Sequence, residues 1–411
     1  MAGIKKIFVA MLLEGDKLDV GELVLAEQKI YFRYNAGFLK RGLNISPIIL
    51  PFNDEIANAG NDPFDGLYGV FNDSLPDGWG RLLLDRTLSS RGVDINRITP
   101  MDRLAYVGTG GMGALTYQPE IEIQHDLSLP MELDSIAREM NLILQGTSSE
   151  IIEELFILGG SSGGARPKIF AGYNEETDEL IYGIGSLPEG YREWIIKFPS
   201  SSDHREIARI EYAYHIMAVN AGIEMSQCRL FEGKSGQAYF GTKRFDRVGK
   251  RRLHMHTASG IMHDNFRAST MDYGHLMDCA FRLERDVMAY EKVLRLAAFN
   301  VFAHNRDDHS KNFSFLMNAN GQWRLAPAYD LTFSNSSYGL HSTMVAGESQ
   351  NPGRSHLMKL ADHFGLKNGE AIIDQVCDAI ARWSSIAQDC GLTKTTIKEI
   401  KAALEAIAIN D

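Results

Sequence analysis

The sequence predicts an α+β chain with a β-rich N-terminal subdomain, a central region of loops and strands, and a mostly helical C-terminal lobe. Three observations predict it. Residues 1 to about 125 carry strand-like runs (KKIFVAMLLEG, KLDVGELVLAEQKIYFRY, GALTYQPEIEI) separated by Gly, Asp and Asn turns. From about 150 the order is glycine-rich loop, strand, lysine-bearing strand, helix, strand. From about 270 the runs DYGHLMDCAFRLE and RDVMAYEKVLRLAAFNVFAHN are helical, as are two or three segments over 366–408. The domains expected are 1–125, 126–250 and 251–411.

Within the first region DGWGRLLLDRTLSSRG reads as a helix, introduced by the turn LPDG at 75–78 and stopped by Gly92. MDRLAYVGTGGMGA at 101–114 is glycine-rich but lacks a lysine at phosphate-binding spacing, so it reads as a tight turn or a close backbone approach. ELDSIAREMNLILQ places Leu133, Ile136, Met140 and Leu144 near one helix face.

Composition sets outer limits. With 411 residues, 44% apolar and 23% charged, the chain is globular and long enough for two or three packed units. A formal charge of -11 argues against broad affinity for a nucleic-acid backbone and leaves DNA contact to a partner. No apolar run reaches membrane-spanning length, and the apolar N-terminus, broken by Glu14 and Asp16, reads as a strand and turn. Cys228, Cys279, Cys377 and Cys390 lack metal-ligand spacing, so a cytoplasmic location with neither disulfide nor zinc site is expected.

The chemistry is concentrated in a few segments. In ELFILGGSSGGARPKIFAGYN, Gly159, Gly160, Gly163 and Gly164 surround Ser161 and Ser162, and Lys168 follows. Glycines let backbone amides wrap a polyanion, and serines add hydroxyl donors; a plain surface hairpin is the competing reading. REWIIKFPS sets Lys197 in an apolar strand, where an ammonium must either reach solvent or meet an anion such as a nucleotide phosphate. HREIARIEYAYHIMAVNAG is a helix stopped by Gly222 that offers Glu206 and Glu211 as partners for that lysine. Glu211, flanked by Ala208, Tyr212 and Ile216, is preferred. YFGTKRFDR reads as a strand ending in a turn that could serve as an adenine-binding hinge, with Lys243 and Phe245 as nucleotide contacts and Asp246 and Arg247 structural.

The strongest segment is HNRDDHSKNFSFLMNANGQWRLAPAYD. Asp307 and Asn312 have the spacing of a kinase catalytic loop, a carboxylate to take a hydroxyl proton and an amide oxygen to bind Mg²⁺. Asp330, after a strand–turn–strand, would be the second metal anchor. His309 is expected to brace the loop beside the nucleotide. Lys311 is expected either to neutralise the transferring phosphoryl group or to face solvent, and Asp308 to form a turn.

At these residues the chain resembles the HipA-like serine/threonine kinases. The matching motifs are FNDSLPDGWGRLLLDR, GMGAL, SSGGARPK, IIKF, KRFDR, HNRDDHSKNFSF and APAYD, and the resemblance spans nearly the whole chain. It implies a bilobal, protein-kinase-like fold with an added N-terminal β-rich subdomain. It further implies ATP and Mg²⁺ as cofactors, Asp307 as catalytic aspartate, Asn312 and Asp330 as metal ligands, and Lys197 on the ATP phosphates. Inactivating autophosphorylation is implied on Ser161, with Ser162 adjacent. The partners implied are a small helix-turn-helix antitoxin, which would carry any DNA contact, and a protein substrate such as glutamyl-tRNA synthetase. GARPK and the Asp307–Asp308 pair depart from the best-known member, so substrate and toxicity are left open. A small-molecule kinase and a nucleotide-binding corepressor scaffold are the alternatives; retention of Asp307, Asn312, Asp330 and Lys197 argues against an inert scaffold.

Overall fold

Hydrophobic alternation and two-residue turns build the first sheet. The computed structural model describes residues 3–123, 132–147, 151–160, 163–182, 187–249, 251–336 and 339–409. Strands β1 (Lys6–Leu13), β2 (Asp16–Ala26), β3 (Lys29–Tyr34) and β4 (Leu115–Gln118) form an antiparallel sheet ordered β3-β2-β1-β4. The β1–β2 turn pairs Leu13 with Asp16 across Glu14 and Gly15, both at positive φ (53° and 98°). That backbone matches the twist of the strands it joins. Glu27 and Gln28 turn β2 into β3 in the same way, at 49° and 61°.

A second, five-stranded antiparallel sheet follows, ordered β6-β5-β7-β9-β8. It comprises β5 (Lys168–Asn174), β6 (Glu179–Tyr182), β7 (Arg192–Lys197), β8 (Cys228–Glu232) and β9 (Ala238–Lys243). Its core joins Tyr173, Trp194 and Phe231, whose rings meet edge-to-face at 5.1–5.7 Å. Helices Gly78–Ser90, Leu133–Leu144 and Ile152–Gly159 contribute to the same core. The first two meet the sequence expectation, with Gly92 at φ 73° ending the first and Ile143 rather than Leu144 the fully buried residue of the second. The third runs directly into the glycine-rich loop, because Leu155 and Leu158 are fully buried and hold the turns before it helical.

The chain groups into two compact units, one of residues 1–205, 231–256 and 316–321, the other of 206–230, 257–315 and 322–411. The second is helical. Helix Met288–Phe302 is buried on every side in its C-terminal half and packs against Tyr273–Glu284, Arg354–His363 and Gly369–Ala381. Tyr214, from helix Ile207–Asn220, meets Trp383 and Phe299 edge-to-face, and its hydroxyl donates to the Ala303 carbonyl at 2.6 Å. Trp383–Asp389 and Lys394–Ile409 close the chain as helices. No helix among the described residues is long and apolar enough to cross a membrane.

The glycine-rich segment 101–114 proves to be a close backbone approach. Arg244, Asp246 and Arg247 are buried around it. Asp246 Oδ2 accepts the Gly113 N–H at 2.7 Å, Arg247 donates to the carbonyls of Gly111 and Gly113 at 3.1 and 2.9 Å, and Arg252 donates to Thr109 O at 2.9 Å. Burial would raise the Asp246 carboxyl, but the Arg244 and Arg247 guanidiniums and the Gly113 amide hold it well below the usual carboxylate range. Its stabilisation is therefore present above about pH 4 and is lost as pH falls further. Asp246→Asn leaves the Arg244 and Arg247 guanidiniums with only the partly exposed Glu193 carboxylate as counter-charge; the expected loss is about 3 kcal/mol, read as a lower urea midpoint.

Candidate functional site

Two groups of side chains, one in each compact unit, carry the residues singled out in the sequence. In the first unit Lys168 and Lys197 stand directly opposite each other on β5 and β7, hence on one face of the sheet. They are only 6% and 8% exposed. Lys197 Nζ lies 5.4 Å from the centroid of the Phe240 ring, and Lys168 Nζ donates to the Gly163 carbonyl at 2.5 Å. A buried ammonium is costly unless polar or charged groups replace its hydration, so both lysines depend on partners at this face of the sheet.

Gly163 and Gly164 lie against Lys168 and are held by a feature that local pattern did not reveal. Asp77 occupies the N-cap position of helix Gly78–Ser90, yet its side chain does not cap that helix. Its Oδ1 instead accepts the Gly164 N–H at 2.5 Å, while Trp79 N–H donates to Gly164 O at 3.1 Å. Gly78, at φ 44°, makes the approach possible; a Cβ there would meet Ala165 Cα and Gly164 O at 2.6 Å. Gly164 itself is at φ 92°. Gly159 serves packing: a Cβ on it would meet the Lys168 carbonyl at 2.1 Å. Ser161 and Ser162 lie outside the described residues.

Lys243 and Phe245, expected at an adenine hinge, are half-buried at the end of β9, and Lys243 Nζ lies 3.3 Å from Glu175 Oε1. The buried residues of KRFDR are Arg244 and Asp246. In the second unit Glu211 is 3% exposed on helix Ile207–Asn220. Glu206 is committed elsewhere: its carboxylate accepts from Thr393 N and Oγ1 at 2.9 and 2.8 Å and from the Thr396 hydroxyl.

The 304–330 segment begins and ends in left-handed backbone, His304 and Asp330 both at φ 54°. That conformation is uncommon outside glycine and is concentrated at functional sites. The Asp307 side chain is 60% exposed, with His309 Nε2 3.8 Å from Oδ1. Asn312 Nδ2 donates to the Asp307 carbonyl at 2.7 Å, which turns the amide oxygen away from the loop. Tyr329 ties the two halves together: its hydroxyl donates to Lys311 O at 2.6 Å and meets Ser314 Oγ at 2.5 Å. One residue beyond each anchor stand Asn312 and Asp330. An amide oxygen and a carboxylate suit a hard cation that completes its shell with water and phosphate oxygens. No cluster of three His, Cys, Asp or Glu side chains suited to a metal occurs among the described residues.

His309 packs on Phe266 at 5.3 Å, with Nδ1 buried and unpartnered, and Lys311 Nζ lies over the same ring at 4.7 Å. Asp308 does more than form a turn. It is 1% exposed, and its Oδ2 accepts from Tyr273 OH at 2.8 Å and faces His341 Nδ1 at 3.0 Å. Oδ1 takes the N–H groups of Ser342 and Thr343 at 2.8 and 3.2 Å. The backbone around Asp308 is thereby fixed to the segment that follows Asp330.

Family models describe these regions. A model of the HipA-like C-terminal domain matches residues 160–384, and one of the HipA N-terminal domain matches residues 12–118. Among solved structures, HipA of Shewanella oneidensis MR-1, in complex with HipB and operator DNA, is similar in fold at a TM-score of 0.69 and 18% identity, over 97% of this chain and 96% of that one. The Helicobacter pylori proinflammatory kinase CtkA aligns at 11% identity and a TM-score of 0.34, over 53% of this chain and 86% of that one, too low to carry an argument. No curated protein matches the chain. The α+β, bilobal kinase-like architecture expected from sequence is the one observed.

Asp77→Ala removes the acceptor for the Gly164 amide. Amide exchange across 163–168 is expected to accelerate by about 10-fold, the equivalent of one charge-assisted hydrogen bond. Hydrogen–deuterium exchange with mass spectrometry reads it; unchanged protection would show that the aspartate does not hold the loop. Asp308→Ala strands buried donors from Tyr273, Ser342 and Thr343, and an expected loss of about 3–5 kcal/mol appears in denaturant unfolding.

Proposed function

The chain belongs to the HipA-like kinase family, a family of phosphotransferases, and from that premise we propose that it is an ATP- and Mg²⁺-dependent serine/threonine protein kinase that silences itself by phosphorylating its glycine-rich loop. The observation that supports the reading is the Tyr329 tie, which joins the residue before Asp330 to the residue before Asn312. In this reading Asp307 orients the acceptor hydroxyl and takes its proton late in transfer. Asn312 Oδ1 and the Asp330 carboxylate hold Mg²⁺. Lys197 and Lys168 receive nucleotide phosphates, with Lys168 exchanging the Gly163 carbonyl for a phosphate oxygen. Mg·ATP supplies the phosphoryl group and offsets the negative charge of the transfer.

Glu211 is assigned to orienting Lys197, His309 to bracing Asp307, and Lys311 to the transferring group. Lys243 and Phe245 are assigned to the adenine side. In autophosphorylation an O–P bond forms at Ser161, or at the adjacent Ser162, as the bond from the γ-phosphorus to ADP breaks. The hydroxyl proton goes to Asp307. A phosphate there adds close to two negative charges two or three residues before Gly164 in the chain, whose amide Asp77 holds. Repulsion between the phosphate and that carboxylate would favour release of the loop as the silencing step. The Shewanella protein assembles with HipB and operator DNA, which supports a toxin role here, with a small helix-turn-helix antitoxin as partner.

Intact-mass measurement after incubation with Mg·ATP tests the reading. The wild type is expected to gain one phosphate, mapped to Ser161 or Ser162, and Asp307→Ala to gain none. ATP binding without phosphate gain in the wild type would rule against the kinase reading.

A further inference from the structure

The second unit contains a cavity of about 160 Å³ behind the catalytic loop, and none of the roles above uses it. Its size is roughly five waters' share of liquid volume, at about 30 Å³ each. The Arg306 guanidinium lines it together with the imidazoles of His304 and His341. Ala403, Ala406 and Ile407 of the last helix add an apolar stretch at helical spacing. Val301, Gln350 and Asn351 line it as well, and Pro352 and Gly353 bring to it the N-terminal end of the ten-residue helix Arg354–His363. That end carries partial positive charge.

The nearby acids are already engaged. Asp308 is surrounded by the donors described above, and Glu348 Oε1 accepts the N–H groups of Gln350 and Asn351 at 2.6 and 3.1 Å. Arg306 Nη1 donates to Gly339 O at 2.5 Å, while its Nε is buried without a partner. Burial and the adjacent Arg306 charge push the His304 imidazole down, as expected for a ring beside an unneutralised guanidinium. The Arg306 guanidinium, two imidazoles, a helix N-terminus and no acidic side chain among the described lining residues favour an anion, and the volume favours a small one.

We propose that this cavity binds a small free oxyanion of the phosphate class, held by Arg306, His304, His341 and the N-terminus of helix Arg354–His363. Arg306 immediately precedes Asp307, and His341 shares the Asp308 carboxylate. An occupied cavity therefore stiffens the catalytic loop from behind; this regulatory step rests on the kinase reading, whereas binding itself does not.

Calorimetric titration with inorganic phosphate tests binding. It is done in the Lys168→Met, Lys197→Met double variant, so that neither lysine assigned to nucleotide phosphate competes. Saturable binding is expected, weakened at least about 10-fold (1.4 kcal/mol) by Arg306→Gln and by Ala403→Trp, which fills the cavity from the helix side. Thermal melting verifies that each variant is folded, and if Arg306→Gln is not, Ala403→Trp decides. Phosphate is also expected to slow amide exchange across 304–312, and the cavity variants to abolish that protection. Absence of saturable binding, or binding unchanged in either folded variant, overturns the site. Failure of the intact-mass experiment would remove the kinase reading and leave this binding result standing.

Discussion

A carboxylate removed from water is tolerated only where donors replace its hydration, and Asp308 meets that condition with groups from distant parts of the second unit. Tyr273 comes from the start of one helix, and His341, Ser342 and Thr343 from the segment after Asp330. Tyr273 is itself fixed by Asn300, which in turn accepts from Asn305 at the head of the loop. The exposed Asp307 thus sits on a backbone whose next residue cannot move without uncovering several buried donors. A reactive carboxylate must be accessible, and an accessible loop is usually mobile. Placing an immovable aspartate directly beside an exposed one reconciles the two requirements.

The first unit uses the same device. Asp77 accepts the Gly164 amide, and Asp246 accepts the Gly113 amide. In each case an acidic side chain anchors a glycine-rich stretch that has no side chains with which to anchor itself. The glycines permit the close approach, and the aspartate determines where it occurs. The two anchors differ in strength. Asp246 is fully buried between guanidiniums, whereas the Asp77 contact is half-buried and could yield to a competing charge.

Much of the fold was legible because local pattern determined it. The strand runs before residue 125, the helix ended by Gly92 and the hairpin after Asn312 all have period and punctuation that tertiary context did not override. The helix Ile152–Gly159 was harder to read, because eight residues beside four glycines and two serines look like loop until their burial is known. Residue types at fixed spacing singled out Asp307, Asn312 and Asp330, and the hydroxyl of Tyr329, next to Asp330, bonds to Lys311 O, next to Asn312. The roles of Asp308 and Asp77 were not legible. Each depends on partners 33 to 87 residues away, and a one-dimensional pattern gives no distance between such positions. In KRFDR burial alternates beyond the end of β9: Arg244 and Asp246 are buried and Lys243 and Phe245 half-buried, a distinction that the contiguous motif alone does not reveal.

The register that sets Lys168 opposite Lys197 across β5 and β7 has a consequence for which sequence changes the first unit can absorb. Side chains alternate between the two faces of a strand, so adding or removing one residue within either strand would turn one lysine to the opposite face. Strand length is therefore as constrained here as residue type: a variant that keeps both lysines but shifts one strand by a single residue would separate the pair.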